Sequence, residues 1–201
     1  MIFKELNIKS YESPSALNEV ALFLDELEFK KVKTKCTKGD DWTAISFHGY
    51  GPDILDILKP GVLKSSVKID TKLQYTSLYY EPVMDPILDI LEKLPCTYER
   101  VRFMKLVAGK VIGRHSDKID KDIESGKIIR IHIPIRTNED VIFTLYENAR
   151  DKIGQEHNLK TGHFYYTDVS KPHAIQNNSN TDRIHLVVDC HGNSVIRSVI
   201  A

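Results

Sequence analysis

The stretch Arg183-Ile-His-Leu-Val-Val-Asp189 is one of the two clearest β-strand signals in the chain, together with Val141-Ile-Phe-Thr-Leu-Tyr146. Both are short, rich in β-branched or aromatic residues, and bounded by polar residues. Similar segments occur elsewhere in the second half of the sequence, near residues 98–107, 111–115, 128–135 and 163–167. Short strands at this spacing predict a mainly β fold of the sandwich or barrel type.

The first half of the chain predicts two helices and one strand. One helix follows Ser13-Pro14, a capping residue before a proline suited to the first helical position. The other begins near Pro82 or Pro86 and ends at about Leu94, and a strand covers Trp42 to Phe47. We therefore expect one domain over 1–201. Residues 1–97 supply supporting helices and strands and a substrate region, and 98–201 supply the β core with the metal site.

Composition narrows the class of protein. The 201 residues carry 28 basic and 28 acidic side chains, a balance that gives no support for a nucleic-acid or membrane-surface partner. The first residues have no apolar run like that of a signal peptide or membrane anchor. Cys36, Cys96 and Cys190 are odd in number and far apart, which argues against a disulfide framework. We expect a cytoplasmic protein with reduced thiols.

The candidate metal ligands are His115, Asp117 and His173. Side chains two apart on an extended strand point the same way, so His115 and Asp117 can approach one ion. Two histidines and one carboxylate on one face of an octahedron suit iron(II) and leave the opposite positions open. Composition alone predicts roughly 0.6 His-x-Asp pairs in such a chain, so the pair taken alone is explained more readily by a turn with a local hydrogen bond. His173 alone also reads as a packed or surface histidine.

Arg183 is the candidate anion-binding residue. It begins a strand whose other members favour burial, and a buried guanidinium requires an anionic partner. Its planar guanidinium group can donate two parallel hydrogen bonds to a carboxylate. A dicarboxylate that chelates iron at one end would present such a carboxylate at its other end. An internal ion pair with Asp182, Asp168 or Asp189 is the alternative.

Arg130 and His132 form a second polar pair on one face of Ile128-Ile-Arg-Ile-His-Ile-Pro-Ile135. A polar stripe on so apolar a strand indicates either a polar-lined pocket or a solvated face. Trp42, Arg114 and His185 complete the candidates for contacts to the substrate or support around the metal, although Trp42 reads more readily as core. The loop from Ser116 to Lys127 is either a lid over the substrate or a plain solvated loop.

Several blocks between Glu99 and Asp189 resemble the aspartyl/asparaginyl β-hydroxylase-like family, which includes free-proline hydroxylases. The matching blocks, in order, are Arg102-Phe-Met-Lys-Leu-Val-Ala-Gly109, Val111-Ile-Gly-Arg-His-Ser-Asp117, Arg130-Ile-His-Ile-Pro134, Gly162-His-Phe-Tyr-Tyr-Thr-Asp168, His173-Ala-Ile-Gln-Asn-Asn-Ser179 and Arg183-Ile-His-Leu-Val-Val-Asp189.

The resemblance implies a double-stranded β-helix, or jelly-roll, core with supporting helices. It implies iron(II) at His115, Asp117 and His173, and 2-oxoglutarate held by Arg183. It also implies that Arg130 and His132 contact this cosubstrate near its iron-chelating end.

The expected activity is that of an iron(II)- and 2-oxoglutarate-dependent dioxygenase. It would use dioxygen to hydroxylate an unactivated C–H bond of an amino acid or peptidyl residue of the Asp/Asn or Pro type, releasing succinate and carbon dioxide. A cupin-type metal enzyme that needs no 2-oxoglutarate, and a non-catalytic binding module, are the alternatives. The first does not require Arg183 to bind a dicarboxylate, and the second does not require an intact triad.

Overall fold

The computed structural model describes residues 2–32, 34–59, 72–117 and 121–201. In these ranges the strands are β1 (Phe3–Glu5), β2 (Lys30–Lys31), β3 (Trp42–Tyr50), β4 (Leu73–Tyr75), β5 (Tyr98–Leu106), β6 (Val111–His115), β7 (Ile128–Arg136), β8 (Val141–Leu145), β9 (Gln155–His157), β10 (Tyr165–Thr167), β11 (His173–Asn177) and β12 (Arg183–His191). The helices are α1 (Pro14–Asp25), α2 (Asp85–Glu92), α3 (Lys121–Glu124) and α4 (Ser194–Ile200), with 3-10 turns at Ser77–Tyr80 and Pro82–Met84.

The strands form two antiparallel sheets. The larger sheet has the order β1-β10-β7-β12-β5-β3-β2, with β4 paired to β3, and the smaller has the order β6-β11-β8-β9. Apolar residues of both sheets pack in one cluster, which includes Leu106 of the larger sheet and Phe143 of the smaller. The prediction of a mainly β sandwich is confirmed. Strands β1 and β3 pair with strands from the second half, and the functional division at residue 97 stays a prediction.

Helix α1 begins where the sequence predicts. Ser13 caps it by accepting a hydrogen bond from the Ala16 amide at 3.4 Å, and Pro14 occupies the first turn. Its buried residues recur at helical spacing and pack against β7. Together with α2 it covers one outer face of the larger sheet, as expected.

Alternation along the central strands sends two kinds of side chain to opposite faces. On β7, isoleucines at 129, 131, 133 and 135 pack under the helices, and so do Ile184, Leu186 and Val188 of β12. Of the intervening residues, Arg130, His132, Arg183 and Val187 line a cavity between the two sheets, so most of the polar stripe faces inward. Arg136, at the end of β7, pairs instead with Asp25 of α1.

Several elements were not predicted, among them the short strands β1, β2 and β4 and the short helix α3. Strand β9 lies in a hydrophilic stretch, and its exposed residues become a strand only through pairing with β8. Strand β11 and the short helix α4 were also missed. None of the described helices is long and apolar enough to cross a membrane. The three cysteines are free thiols.

Candidate active site

The three candidate metal ligands meet at one end of the smaller sheet. His115 ends β6, His173 begins β11, and the antiparallel register pairs the two directly. Their ring centroids are 4.2 Å apart. Asp117 lies two residues beyond β6, and one ligand atom from each of the three residues falls within 4.8 Å of the others.

Hydrogen bonds orient both imidazoles. The Nδ1 atom of His115 lies 2.8 Å from the Gly113 carbonyl oxygen, and that of His173 lies 2.9 Å from the Lys171 carbonyl oxygen. Because a carbonyl only accepts, each Nδ1 carries the proton and each Nε2 keeps a lone pair for a metal. Burial, reinforced by the charge of His115, lowers the pKa of His173 to about 4 and favours this neutral form. The donor set therefore fits a divalent ion.

A cavity of about 180 Å³ lies between the sheets beside these ligands. Its apolar lining includes Phe143, Ile175 and Val187. Its lining also includes all three candidate ligands and the polar side chains Arg100, Arg102, Arg130, His132 and Arg183.

A larger cavity of about 490 Å³ beside α3 and α4 shares only Arg130 and Val169 with it among the described residues. Because none of the three candidate ligands lines that larger space, the smaller cavity is the candidate active site.

Arg183 is a buried cation with no carboxylate partner among the described residues. Only 3% of it is exposed, and its Nη2 atom donates a hydrogen bond to Nδ1 of His185 at 2.6 Å. Its Nε atom has no hydrogen-bond partner in the described part of the chain. Burial lowers the pKa of Arg183 to about 9. The alternative of an internal ion pair with Asp182, Asp168 or Asp189 is not found in the described structure.

Asp189, at the other end of β12, is surrounded by guanidinium groups. Its Oδ1 accepts from Nε of Arg130 at 2.8 Å, and its Oδ2 lies 2.7 Å from Nη2 of Arg100 and 3.1 Å from Nη2 of Arg102. Burial raises the pKa of Asp189, but the charges of Arg130, Arg100 and Arg102 outweigh that effect and hold it well below the usual range. Arg130 also contacts Asp117 and so links this cluster to the candidate metal site.

Of the three remaining predicted residues, Trp42 and His185 lie at the candidate site and Arg114 does not. Trp42 lines the cavity, with its ring centroid 6.0 Å from that of His115, and His185 contacts Arg183. Arg114 does not reach the site. Because it neighbours His115 on β6, it faces outward, where it stacks on Tyr146 and bonds to the Asp151 and Asn148 carbonyls.

Sequence reasoning missed two cavity residues and the pairing of a third. Arg100 and Arg102 were not proposed, although their alternation on β5 gives a signal of the same kind as Arg130 and His132 on β7. Asp189 was considered only as a partner for Arg183. The sequence leaves open whether the loop from Ser116 to Lys127 is a lid or a plain solvated loop, and its residues 118–120 lie outside the described part of the chain.

A family model described as aspartyl/asparaginyl β-hydroxylase matches residues 16–192. The chain belongs to this family. The resemblance inferred from the sequence is thereby confirmed, and the protein is a 2-oxoglutarate-dependent oxygenase. No curated protein matches the sequence.

Solved structures share the fold of this hydroxylase family member. A 2OG-Fe(II) oxygenase family oxidoreductase from Burkholderia pseudomallei is 14% identical, with a TM-score of 0.52, over 87% of this chain and 77% of that one. A Pseudomonas putida prolyl-4-hydroxylase is 12% identical, with a TM-score of 0.52, over 95% and 93% of the two chains. OsALKBH1 is 10% identical, with a TM-score of 0.56, over 94% and 96%. At these identities the likeness concerns the fold, and it confirms the jelly-roll core.

Iron(II), 2-oxoglutarate and dioxygen fit this family member. Two neutral imidazoles and a carboxylate can bind one face of an octahedral ion and leave the other positions open. In the same cavity, Arg183 offers a buried cation to a dicarboxylate.

Proposed function

We propose that the enzyme hydroxylates an unactivated C–H bond of an amino acid or peptidyl residue of the Asp/Asn or Pro type, while 2-oxoglutarate becomes succinate and carbon dioxide. In this proposal His115, Asp117 and His173 hold iron(II) and are the catalytic residues. Arg183 binds the distal carboxylate of 2-oxoglutarate. Iron(II) with 2-oxoglutarate and dioxygen supplies the oxidising chemistry when bound.

The buried Arg183, without a counterion in the described structure, carries this proposal. An isolated buried charge is costly, so a fold that retains one must recover the cost through a ligand. A carboxylate accepts two parallel hydrogen bonds from a guanidinium and neutralises it. A metal-free binding module would not need this cation beside a His-Asp-His cluster.

The neighbouring residues have supporting parts in the proposal. Both ring nitrogens of the buried His132 lack a hydrogen-bond partner among the described residues, so this ring can contact 2-oxoglutarate. Burial, together with the charges of Arg183 and Arg130, keeps its pKa well below the ordinary value. Arg130 orients the Asp117 carboxylate, and His185 orients Arg183 by accepting its hydrogen bond. Apolar side chains such as Phe143 and Ile175 exclude water.

The visible spectrum of the protein tests the proposal. Metal-free protein is mixed without oxygen with iron(II) and 2-oxoglutarate, and we expect a weak charge-transfer band that requires both additions. His173→Ala abolishes the band. Arg183→Met raises the 2-oxoglutarate concentration needed for half of it by roughly 30-fold or more, as expected for loss of a buried charge-assisted pair.

Arg136→Met is the matched control, because Arg136 lies on the neighbouring strand β7 but pairs with Asp25 at the surface. It leaves the band unchanged. A band that forms equally well in Arg183→Met contradicts the role of Arg183, and an absence of iron binding in the unaltered protein contradicts the metal site.

A further inference from the structure

Two cysteines meet at the place where β5 begins and β12 ends. In the antiparallel register Cys190 lies opposite Tyr98, and the amide of His191 donates to the carbonyl of Thr97 at 2.8 Å. Cys96 directly precedes Thr97, so the two cysteines come from neighbouring positions of paired chain segments. A hydrogen bond joins their thiol groups. The fold therefore holds two free thiols side by side.

The two thiols differ in exposure and acidity. Cys190 is 0% exposed in the hydrophobic cluster under α1 and α2, whereas Cys96 is partly exposed at the margin of that cluster. The hydrogen bond with Cys190 lowers the pKa of Cys96 below the ordinary value of 9.0, although burial opposes this effect. The same hydrogen bond, together with burial, raises the pKa of Cys190 well above that value. An accessible thiol of lowered pKa beside a second thiol is the arrangement that peroxide oxidises selectively.

The buried cysteine also neighbours the charge network of the candidate active site. Cys190 directly follows Asp189, whose Oδ1 atom accepts from Nε of Arg130 at 2.8 Å. Arg130 in turn contacts Asp117 and lines the cavity. An S–S bond of about 2.05 Å is much shorter than a contact between unbonded sulfur atoms, so bonding Cys190 to Cys96 displaces the end of β12. Because a packed interior transmits strain, this displacement disturbs the contact between Asp189 and Arg130.

We propose that Cys96 and Cys190 are a peroxide-sensitive modification site, and that the disulfide between them weakens the binding of 2-oxoglutarate. Hydrogen peroxide first oxidises the Cys96 thiolate: an S–O bond forms, the O–O bond breaks, and hydroxide leaves with the electron pair of that bond. The Cys190 thiol then attacks the sulfenic sulfur, an S–S bond forms, and the hydroxyl group leaves as water with the Cys190 proton. The two sulfur atoms together lose two electrons to the peroxide, and a dithiol reverses the change. The oxidation is independent of the proposed function, whereas its effect on 2-oxoglutarate rests on it.

Mass spectrometry of iron-free protein tests the oxidation. The protein is treated with a small excess of hydrogen peroxide, the peroxide is removed, and the remaining thiols are alkylated after unfolding. We expect the mass before alkylation to fall by two hydrogen atoms, and only Cys36 to be alkylated.

Cys36 provides the matched control, because it is also partly exposed but packs in the other cluster, between the two sheets. Cys36→Ser still forms the disulfide, and Cys96→Ser does not. Cys190→Ala stops at the sulfenic acid on Cys96, which dimedone labels.

The charge-transfer band measures the effect on the candidate active site. Iron(II) and 2-oxoglutarate are added without oxygen to the oxidised protein after the peroxide has been removed. We expect the 2-oxoglutarate concentration needed for half of the band to rise at least ~5-fold, as for a typical coupling between two sites. Reduction with a dithiol before iron is added restores the original concentration. Peroxide leaves this concentration unchanged in Cys96→Ser.

The outcomes separate the oxidation from the proposed function. Oxidation of Cys36 ahead of Cys96, disulfides only between two molecules, or no disulfide at all each overturn the modification site. A disulfide between Cys96 and Cys190 that leaves the band unchanged overturns its link to 2-oxoglutarate. If the band fails to form in the untreated protein, the proposed function fails, and the mass measurement still decides the modification site.

Discussion

Each end of strand β12 carries a buried charged side chain, but only one of the two has partners of opposite charge among the described residues. Arg183 and Asp189 lie on the same face of the strand and are 3% and 1% exposed. Asp189 has three guanidinium partners, whereas Arg183 has no carboxylate partner among the described residues. The first arrangement is satisfied within the folded chain, and the second becomes satisfied only when an anion binds. The difference separates a structural anchor from a binding site on one strand.

The largest effect is expected at the anchor. Asp189→Asn keeps the shape of the side chain but leaves Arg100, Arg102 and Arg130 without a shared counterion. The free energy of unfolding falls by about 3–5 kcal/mol, as for a buried pair that loses one partner. Denaturant unfolding measures it.

Asp25→Asn is the control for this loss, because Asp25 and Arg136 are partly exposed and their pair contributes about 1 kcal/mol or less. Equal losses in the two variants would remove the distinction between anchor and surface pair.

A smaller effect of opposite sign is expected at the binding end. Arg183→Met removes an unpaired buried charge, so the ligand-free protein becomes more stable by about 1–2 kcal/mol. In the unaltered protein with iron(II), 2-oxoglutarate at 100 times its Kd adds about 2.7 kcal/mol. The variant loses this increment. Thermal unfolding with and without 2-oxoglutarate reports both changes, and an Arg183→Met protein that is destabilised without ligand would show that Arg183 is an anchor too.

The smallest expected effect is the pH dependence of the free energy of unfolding, which differs between the two ends of β12. Burial and the charge of Arg183 hold the pKa of His185 well below its ordinary value of 6.5. Because the pKa of His185 is lowered in the folded state, below pH 6.5 this histidine is protonated in the unfolded chain but stays neutral in the folded chain. The free energy of unfolding therefore falls as pH falls. His132 behaves alike. Each of these two histidines changes the free energy of unfolding by at most about 1.4 kcal/mol per pH unit.

The contribution of Asp189 has a different pH window. Its folded pKa is depressed, so its stabilisation persists until pH falls to the ordinary carboxyl range near 4. Unfolding of metal-free protein between pH 6.5 and 5 therefore reports the histidines, and His185→Gln flattens the slope there. An unchanged slope in that variant would locate the titrating group elsewhere.

Much of the fold was predictable because strands in a sandwich carry local signals. Strands β5, β7, β8 and β12 have buried apolar residues that the sequence displays directly. Helix α1 has a cap, a proline and a buried face. Strand β9 was missed because its hydrophilic residues have no such signal and depend on pairing with β8.

The sequence by itself determined the ligand types, their spacing and the alternation that sends Arg130 and His132 to one face. Those features suffice to identify the family and to nominate His115, Asp117, His173 and Arg183. Only the tertiary structure decided which charges meet. The register places Arg130 opposite Asp189 and brings Arg100 and Arg102 to the same carboxylate, while leaving Arg183 without one. The physical reason is that alternation is a local property of one strand, whereas the pairing of buried charges depends on the register between strands distant in sequence.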